Sequence, residues 1–163
     1  MASENTTLLV AGVIPGSTLA AIVAARADIM AFTQATQDAV LQPRLTGGIS
    51  HAERAALACR MARLHDEQGL AEQYAQLLVS AEPGSRQLAD PAFDGAGEPR
   101  LAALLRHVDL VTQAPQKATR AHITALREAG ITEDDIVRLA ELIAFINYQL
   151  RVVAGLRLLG EIV

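Results

Sequence analysis

The chain has 163 residues, 51% hydrophobic and 20% charged, enough to bury one core and too apolar to be disordered throughout. Its net charge is −4, and its 14 Lys and Arg residues are scattered singly without interleaved aromatics, which argues against a nucleic-acid partner. Aromatics are 3% with no Trp, and Ala, Leu and Arg abound, a composition that favours helices over sheet. The expected fold is all-α, a single domain over 1–163 made as a bundle of six to seven helices.

From the N-terminus, "LLVAGVI" (8–14) is short, lacks preceding basic residues and is stopped by Pro15-Gly16, so it is not read as a leader. "STLAAIVAARADIMAFTQATQDAVLQ" follows, with Leu19, Ile22, Val23, Ala27 and Met30 at helical spacing. Asp28 can cap a second helix after a small break, so this stretch is one bent helix or two. Pro43 and Gly47-Gly48 end it. In "ISHAERAALACRMARL", Ser50 and Glu53 form an S-x-x-E capping box with Ile49 as the staple residue, and Leu57, Met61 and Leu64 share a face. After Gly69, "LAEQYAQLLVSA" (70–81) continues as a helix.

Residues 82–99 hold Pro83, Pro91 and Pro99 and read as a long loop between halves. Pro99 suits a first helical position, with Leu101, Leu104, Leu105 and Val108 as the stripe behind it. Pro115 is expected to start "QKATRAHITALREAG", which closes on Gly130. Thr132 and Asp135 open the longest helix, along which Ile136, Leu139, Ile143, Ile146, Leu150 and Val153 recur at steps of three and four. Its apolar run 139–150 is short of the ~20 residues a bilayer requires and is interrupted by Glu141 and Asn147, so no membrane segment is expected. The lone cysteine, Cys59, permits neither an intramolecular disulfide nor a cysteine zinc cluster, and the chain is expected to be cytoplasmic.

Three stretches then carry a likeness. "GIS-x-x-ER-x-x-L-A", the "AEQY" beyond it, and "ALREAGITEDDIVRLAELIAFINYQLRVVAGL" together resemble the carboxymuconolactone decarboxylase-like superfamily, in its peroxidase-related, alkylhydroperoxidase D-like branch. The resemblance covers residues 45–163 as the core, and 1–44 resemble the branch's N-terminal helical extension. It implies a homo-oligomer. It also implies peroxide reduction by a Glu, a Cys-x-x-Cys further on, and a His one helical turn after the second Cys. There a thiolate attacks the peroxide and the second thiol resolves the sulfenic acid. No register of this chain restores that set. With Ala55 at the Glu position, Glu67 and Leu70 stand at the cysteines and Tyr74 at the His. With Glu53 there, His65, Gln68 and Glu72 occupy those places. Cys59 as first thiol leaves Ala62 as the second; as second, it leaves Ala56 as the first.

The candidate site residues each have two readings. Glu53 is a base or the second half of the Ser50 cap. Cys59 is a small core residue or a peroxidatic thiol resolved by another protein. His65, beside Asp66 and Glu67 near a helix end, is a solvated cap or a titrating group. Glu72 and Tyr74 complete the catalytic candidates, and Tyr74, like Tyr148, can anchor packing while its hydroxyl finds a polar partner. Asn147 and Arg151 share a face of an apolar helix and are expected at a cavity or subunit interface, where they could contact a substrate. No H-x-x-x-H, H-E-x-x-H or E-x-x-H spacing occurs, so neither a metal nor another cofactor is expected. Three functions follow: an oligomeric non-peroxidase partner or structural protein, with a thiol-active relative as a candidate companion; an acid–base enzyme of decarboxylase or lactone type; or an antioxidant peroxidase.

Overall fold

The structure, a computed structural model, describes residues 5–163. Among them every regular element is helical: α1 (Thr6–Val10), α2 (Thr18–Ala24), α3 (Ala27–Leu41), α4 (His51–Leu64), α5 (Gln68–Gln76), α6 (Pro83–Gln87), α7 (Pro99–Gln113), α8 (Arg120–Glu128) and α9 (Glu133–Gly160). The all-α expectation holds, and the excess over six or seven comes from short pieces such as α1 and α6.

Several boundaries differ from the sequence reading. Of the two alternatives after Pro15, two helices is the one found, with a turn at Ala25–Arg26, but Asp28 lies inside the first turn of α3 instead of capping it. The expected stripe does not hold: Leu19 is buried, while Ile22 in the same helix and Ala27 beyond the break are exposed. The segment 82–99 is not all loop, since Pro83 starts α6. Pro115 opens only a 3₁₀ turn over Pro115–Lys117, and α8 begins later, where the Thr119 N–H donates to Nδ1 of His122 (3.0 Å). The helix after Gly69 ends at Gln76, five residues before the expected end.

The other boundaries follow the residues that were read. Ser50 and Glu53 cap α4 reciprocally, with Ser50 Oγ accepting from the Glu53 N–H (3.2 Å) and Glu53 accepting from the Ser50 N–H (2.8 Å). Thr132 Oγ1 accepts from the Asp135 N–H (3.2 Å) at the start of α9. The inner stripe of α9, from Ile136 to Val153, is buried at each of its six positions. By length and composition α9 could also cross a bilayer; here one side of it forms core against α1, α3, α4, α7 and α8.

α4 is the central element, packed against α3, α5, α6, α7 and α9. Residues 54–62 are buried without a gap, and four of the nine are Ala, small enough for neighbouring helices to approach closely. Two of these buried residues are arginines. Arg60 forms a two-pronged pair with Asp109 of α7, Nε and Nη2 each 2.6 Å from a carboxylate oxygen. It also donates to the carbonyls of Asp90, Pro91 (3.2 Å) and Phe93 (3.1 Å). Arg63 adds the carbonyl of Ala89 (2.8 Å), so α4 pins down the irregular segment 88–93. Among the described residues Arg54 has no carboxylate partner. It donates to the carbonyls of Val40 (3.1 Å), Thr46 (2.9 Å) and Ile49 (3.0 Å), and the 40–49 connection wraps around it.

That connection is fixed at its far end by Asp135. Its carboxylate accepts from the Gly48 N–H (3.0 Å), Thr132 Oγ1 (2.8 Å) and Arg138 (2.9 Å). The approach requires Gly47, whose φ is +63° and whose place for a Cβ is 2.3 Å from the Asp135 Oδ1. Burial raises the Asp135 pKa, but the hydrogen bonds from Thr132, Gly48 and Arg138 outweigh it and hold the carboxyl below its ordinary range.

Two outcomes are expected. Arg60→Met strands the Asp109 carboxylate and the 88–93 carbonyls, and should cost about 3–5 kcal/mol in urea unfolding; Arg60→Met with Asp109→Leu should recover part of it. For Asp135, the folded pKa is the lower one, so its contribution is complete above the unfolded value of about 3.9 and is lost as pH falls through the folded value. The acid limb of a urea-midpoint profile should therefore be shallower in Asp135→Asn, which should also be less stable at neutral pH.

Candidate functional site

The chemistry-bearing interior lies where α1, α3, α5 and α9 meet. On α5, Leu70, Ala71 and Tyr74 are buried at three- and four-residue spacing. Tyr74 is 1% exposed and donates its hydroxyl to Oε1 of Gln149, a fully buried residue of α9. The Gln149 amide nitrogen donates to Thr7 Oγ1 (3.0 Å) and to Gln37 Oε1 (2.7 Å). Gln37 donates in turn to Thr6 Oγ1 (2.9 Å). The Thr6 N–H donates to Gln34 Oε1 (2.8 Å), and Gln34 donates to the Asp38 carboxylate (2.9 Å). One polar chain thus runs from the core to an exposed carboxylate, and each buried amide in it is satisfied.

This chain borders a cavity of about 490 Å³ lined by Gln34, Gln37, Asp38, Gln42, Gln73 and Tyr74 among others. No Lys or Arg lines it. Burial pushes the Tyr74 phenol far above its usual range, so it acts as a hydrogen-bond donor and not as a base.

Of the expected catalytic residues, only Tyr74 reaches this cavity. Glu53 is spent on the Ser50 cap and on Arg100 of α7 (2.7 Å). His65 is exposed as the C-cap of α4, and Glu72 is exposed on α5. Glu67, at the first-thiol position in one register, caps α5 through the Gly69 N–H (3.1 Å) and pairs with Arg157 (2.9 Å). Cys59 is fully buried, and its Sγ lies 3.4 Å from the Ala71 carbonyl as a donor. Burial raises the Cys59 pKa, with Arg63 only partly opposing. Asn147 donates to the Ile143 carbonyl (3.0 Å), leaving its buried Oδ1 unpartnered. Arg151 donates to the Asn147 carbonyl (2.6 Å) and is otherwise exposed. The two therefore meet through backbone, and neither lines the glutamine cavity. Among the described residues no group of three or more His, Cys, Asp or Glu is placed to hold a metal ion.

The residues missed by the sequence reading are Gln37, Gln149, Arg54 and Arg60. A signal existed for some of them. Gln149 stands three residues after Ile146 on the inner stripe of α9, and Arg54 stands three before Leu57 on the inner face of α4. A polar residue in register with a buried stripe has to find partners inside. The partners of Gln149, on α1, α3 and α5, are remote in sequence and carry no local mark.

No family model matches the chain, and no curated protein or solved structure matches it either.

Gln149→Leu should strand the Tyr74 hydroxyl, Thr7 and the Gln37 carbonyl together. We expect a loss of at least about 2 kcal/mol in urea unfolding, partly recovered by adding Tyr74→Phe.

Proposed function

We propose that this chain is a non-redox protein of the carboxymuconolactone decarboxylase-like type that acts by association, as an oligomeric partner or structural member, and not by thiol turnover. The observation that carries this reading is the state of Cys59. A peroxidatic thiol needs to be a thiolate, accessible to peroxide, and near a resolving thiol. Cys59 is fully buried, donates to a carbonyl, has its pKa raised, and is the only cysteine in the sequence. Among the described residues Arg63 alone moves the balance toward the anion, and burial outweighs it.

A second reading, acid–base turnover, has one observation in its favour: Tyr74 borders a cavity that also holds Asp38. It ranks below the first because general acid–base work needs a group that changes protonation near working pH, within reach of the substrate. Tyr74 is held protonated, and Glu53, His65 and Glu72 lie elsewhere.

The test is anaerobic turnover of an organic hydroperoxide with a dithiol reductant. The protein should not exceed the reductant-only rate, and Cys59→Ser should leave that rate unchanged. Turnover that disappears in Cys59→Ser overturns the reading.

A further inference from the structure

The outward face of α9 has a pattern that the fold itself does not use. Val137, Glu141, Ala144, Tyr148, Arg151, Gly155 and Leu158 are all exposed. Their three- and four-residue steps place them within about 100° of the helix circumference. Val137 is 59% and Leu158 64% exposed, so this is an uncovered stripe and not the margin of the core. Its centre carries two opposite charges, Glu141 and Arg151, and neither makes an ion pair among the described residues. They cannot pair with each other within one straight helix, because ten residues separate them by about 15 Å along the axis.

The order of the stripe is what makes it informative. Around position 146, Glu141 mirrors Arg151, Ala144 mirrors Tyr148, and Val137 mirrors Gly155. When two such helices run antiparallel about a two-fold axis at that level, each position meets its mirror in the other copy. Acid then meets base twice. Tyr148 meets Ala144 and Val137 meets Gly155, large against small, which is the complementarity that close helix packing needs, while Leu158 falls opposite Asp134 at the end of the contact. We infer that a second copy of this chain docks antiparallel along α9, with the two-fold axis level with Ile146 and reciprocal Glu141–Arg151 pairs across the contact.

The surface beside the stripe fits the same occupant. A groove of about 630 Å³ between α3 and α9 is lined by Ile29, Phe32, Glu141, Ala144, Phe145 and Tyr148 among others, so it shares three residues with the stripe. Phe32 is 67% exposed at this groove, and the copy lying along α9 covers it. Paired charges at mirrored positions fix register and direction, which an apolar contact alone would leave open.

This inference rests on the reading of the chain as an associating protein, and the two fail separately. Peroxide turnover by Cys59 removes the first; the oligomeric state decides the second. The experiment is sedimentation equilibrium of the full chain and of two variants, Glu141→Arg and Arg151→Glu. Both sites are exposed, and circular dichroism checks that each variant keeps its helical content. The parent should be a dimer, or an even-numbered assembly built on this dimer. Each variant alone sets like charges against its own copy and should associate at least about tenfold more weakly. Mixed together, the two variants set opposite charges against each other and should form a heterodimer close to the parent in affinity. A parent that stays monomeric overturns the inference, as does capture by phosphatidylcholine vesicles in place of self-association. An oligomer indifferent to both reversals, or variants that do not recover on mixing, overturns it equally.

Discussion

The buried guanidinium of Arg60 is the constraint on which much of the rest depends. A charge 2% exposed is tolerable only when its donors are all engaged, and here they engage one carboxylate and a set of backbone carbonyls. Those partners come from α7 and from the irregular segment 88–93. The need to satisfy one side chain therefore decides where two other parts of the chain lie. It also answers how the 88–93 segment can be ordered without regular structure: its carbonyls are bonded to α4 in place of a helix ladder. Arg54 does the same for the 40–49 connection, from the other end of the buried run of α4. α4 holds no β-branched residue and no Phe, Tyr or Trp, so its packing specificity comes from these two cations and from the close approach that alanine permits.

The second polar system divides labour with the first. The arginines hold loops against α4, while the Tyr74–Gln149–Gln37–Thr6 chain ties α1, α3, α5 and α9 to one another. It contains no formal charge until it reaches Asp38 near the surface. A neutral amide network is less costly to bury than an ion pair, because its members lose less hydration. It is also less forgiving, since each amide has both a donor and an acceptor to place. Gln149 meets this by accepting from Tyr74 and donating twice, which fixes the rotation of α9 relative to α1, α3 and α5.

Much of the fold was legible because its signals are local. The Ser50–Glu53 box, Pro99 at the start of α7, and Thr132 at the start of α9 each announce an end through residues within one turn. The inner stripe of α9 is legible for the same reason, as a repeat of six apolar positions. What failed was continuity: Leu19, Ile22 and Ala27 obey helical spacing across a break that spacing alone does not reveal. Pro115 misled similarly, because a proline tolerated in a helix's first turn is equally at home in a 3₁₀ turn. The candidate site was less legible. Glu53, His65 and Glu72 stand out by their chemistry, and chemistry does not say which way a side chain faces. Tyr74 is the one that points inward, and it does so in step with Leu70 and Ala71. Gln149 sat in plain view on the inner stripe of α9, yet its partners lie up to 142 residues away, so nothing nearby marked it.

α9 joins the interior to the outer surface in a way that gives the two a shared fate. Tyr148 and Gln149 are consecutive, and a helix turns about 100° between them. Gln149 therefore faces the buried network while Tyr148 faces the outer stripe. Tyr148 is itself held from within: its hydroxyl lies 3.0 Å from Thr33 Oγ1, and its ring stands against Phe145 at 6.1 Å. Both Thr33 and Gln37 belong to α3, one turn apart, so the residues that orient the outer Tyr and the inner Gln sit on the same neighbouring helix. Any rotation of α9 that improved one contact would break the other. The outward pattern of acid, small residue, tyrosine and base is thus presented by a helix whose azimuth is set by hydrogen bonds inside the core. A surface held that rigidly loses little side-chain and backbone freedom on contact, which is the condition under which a modest interface can be a specific one.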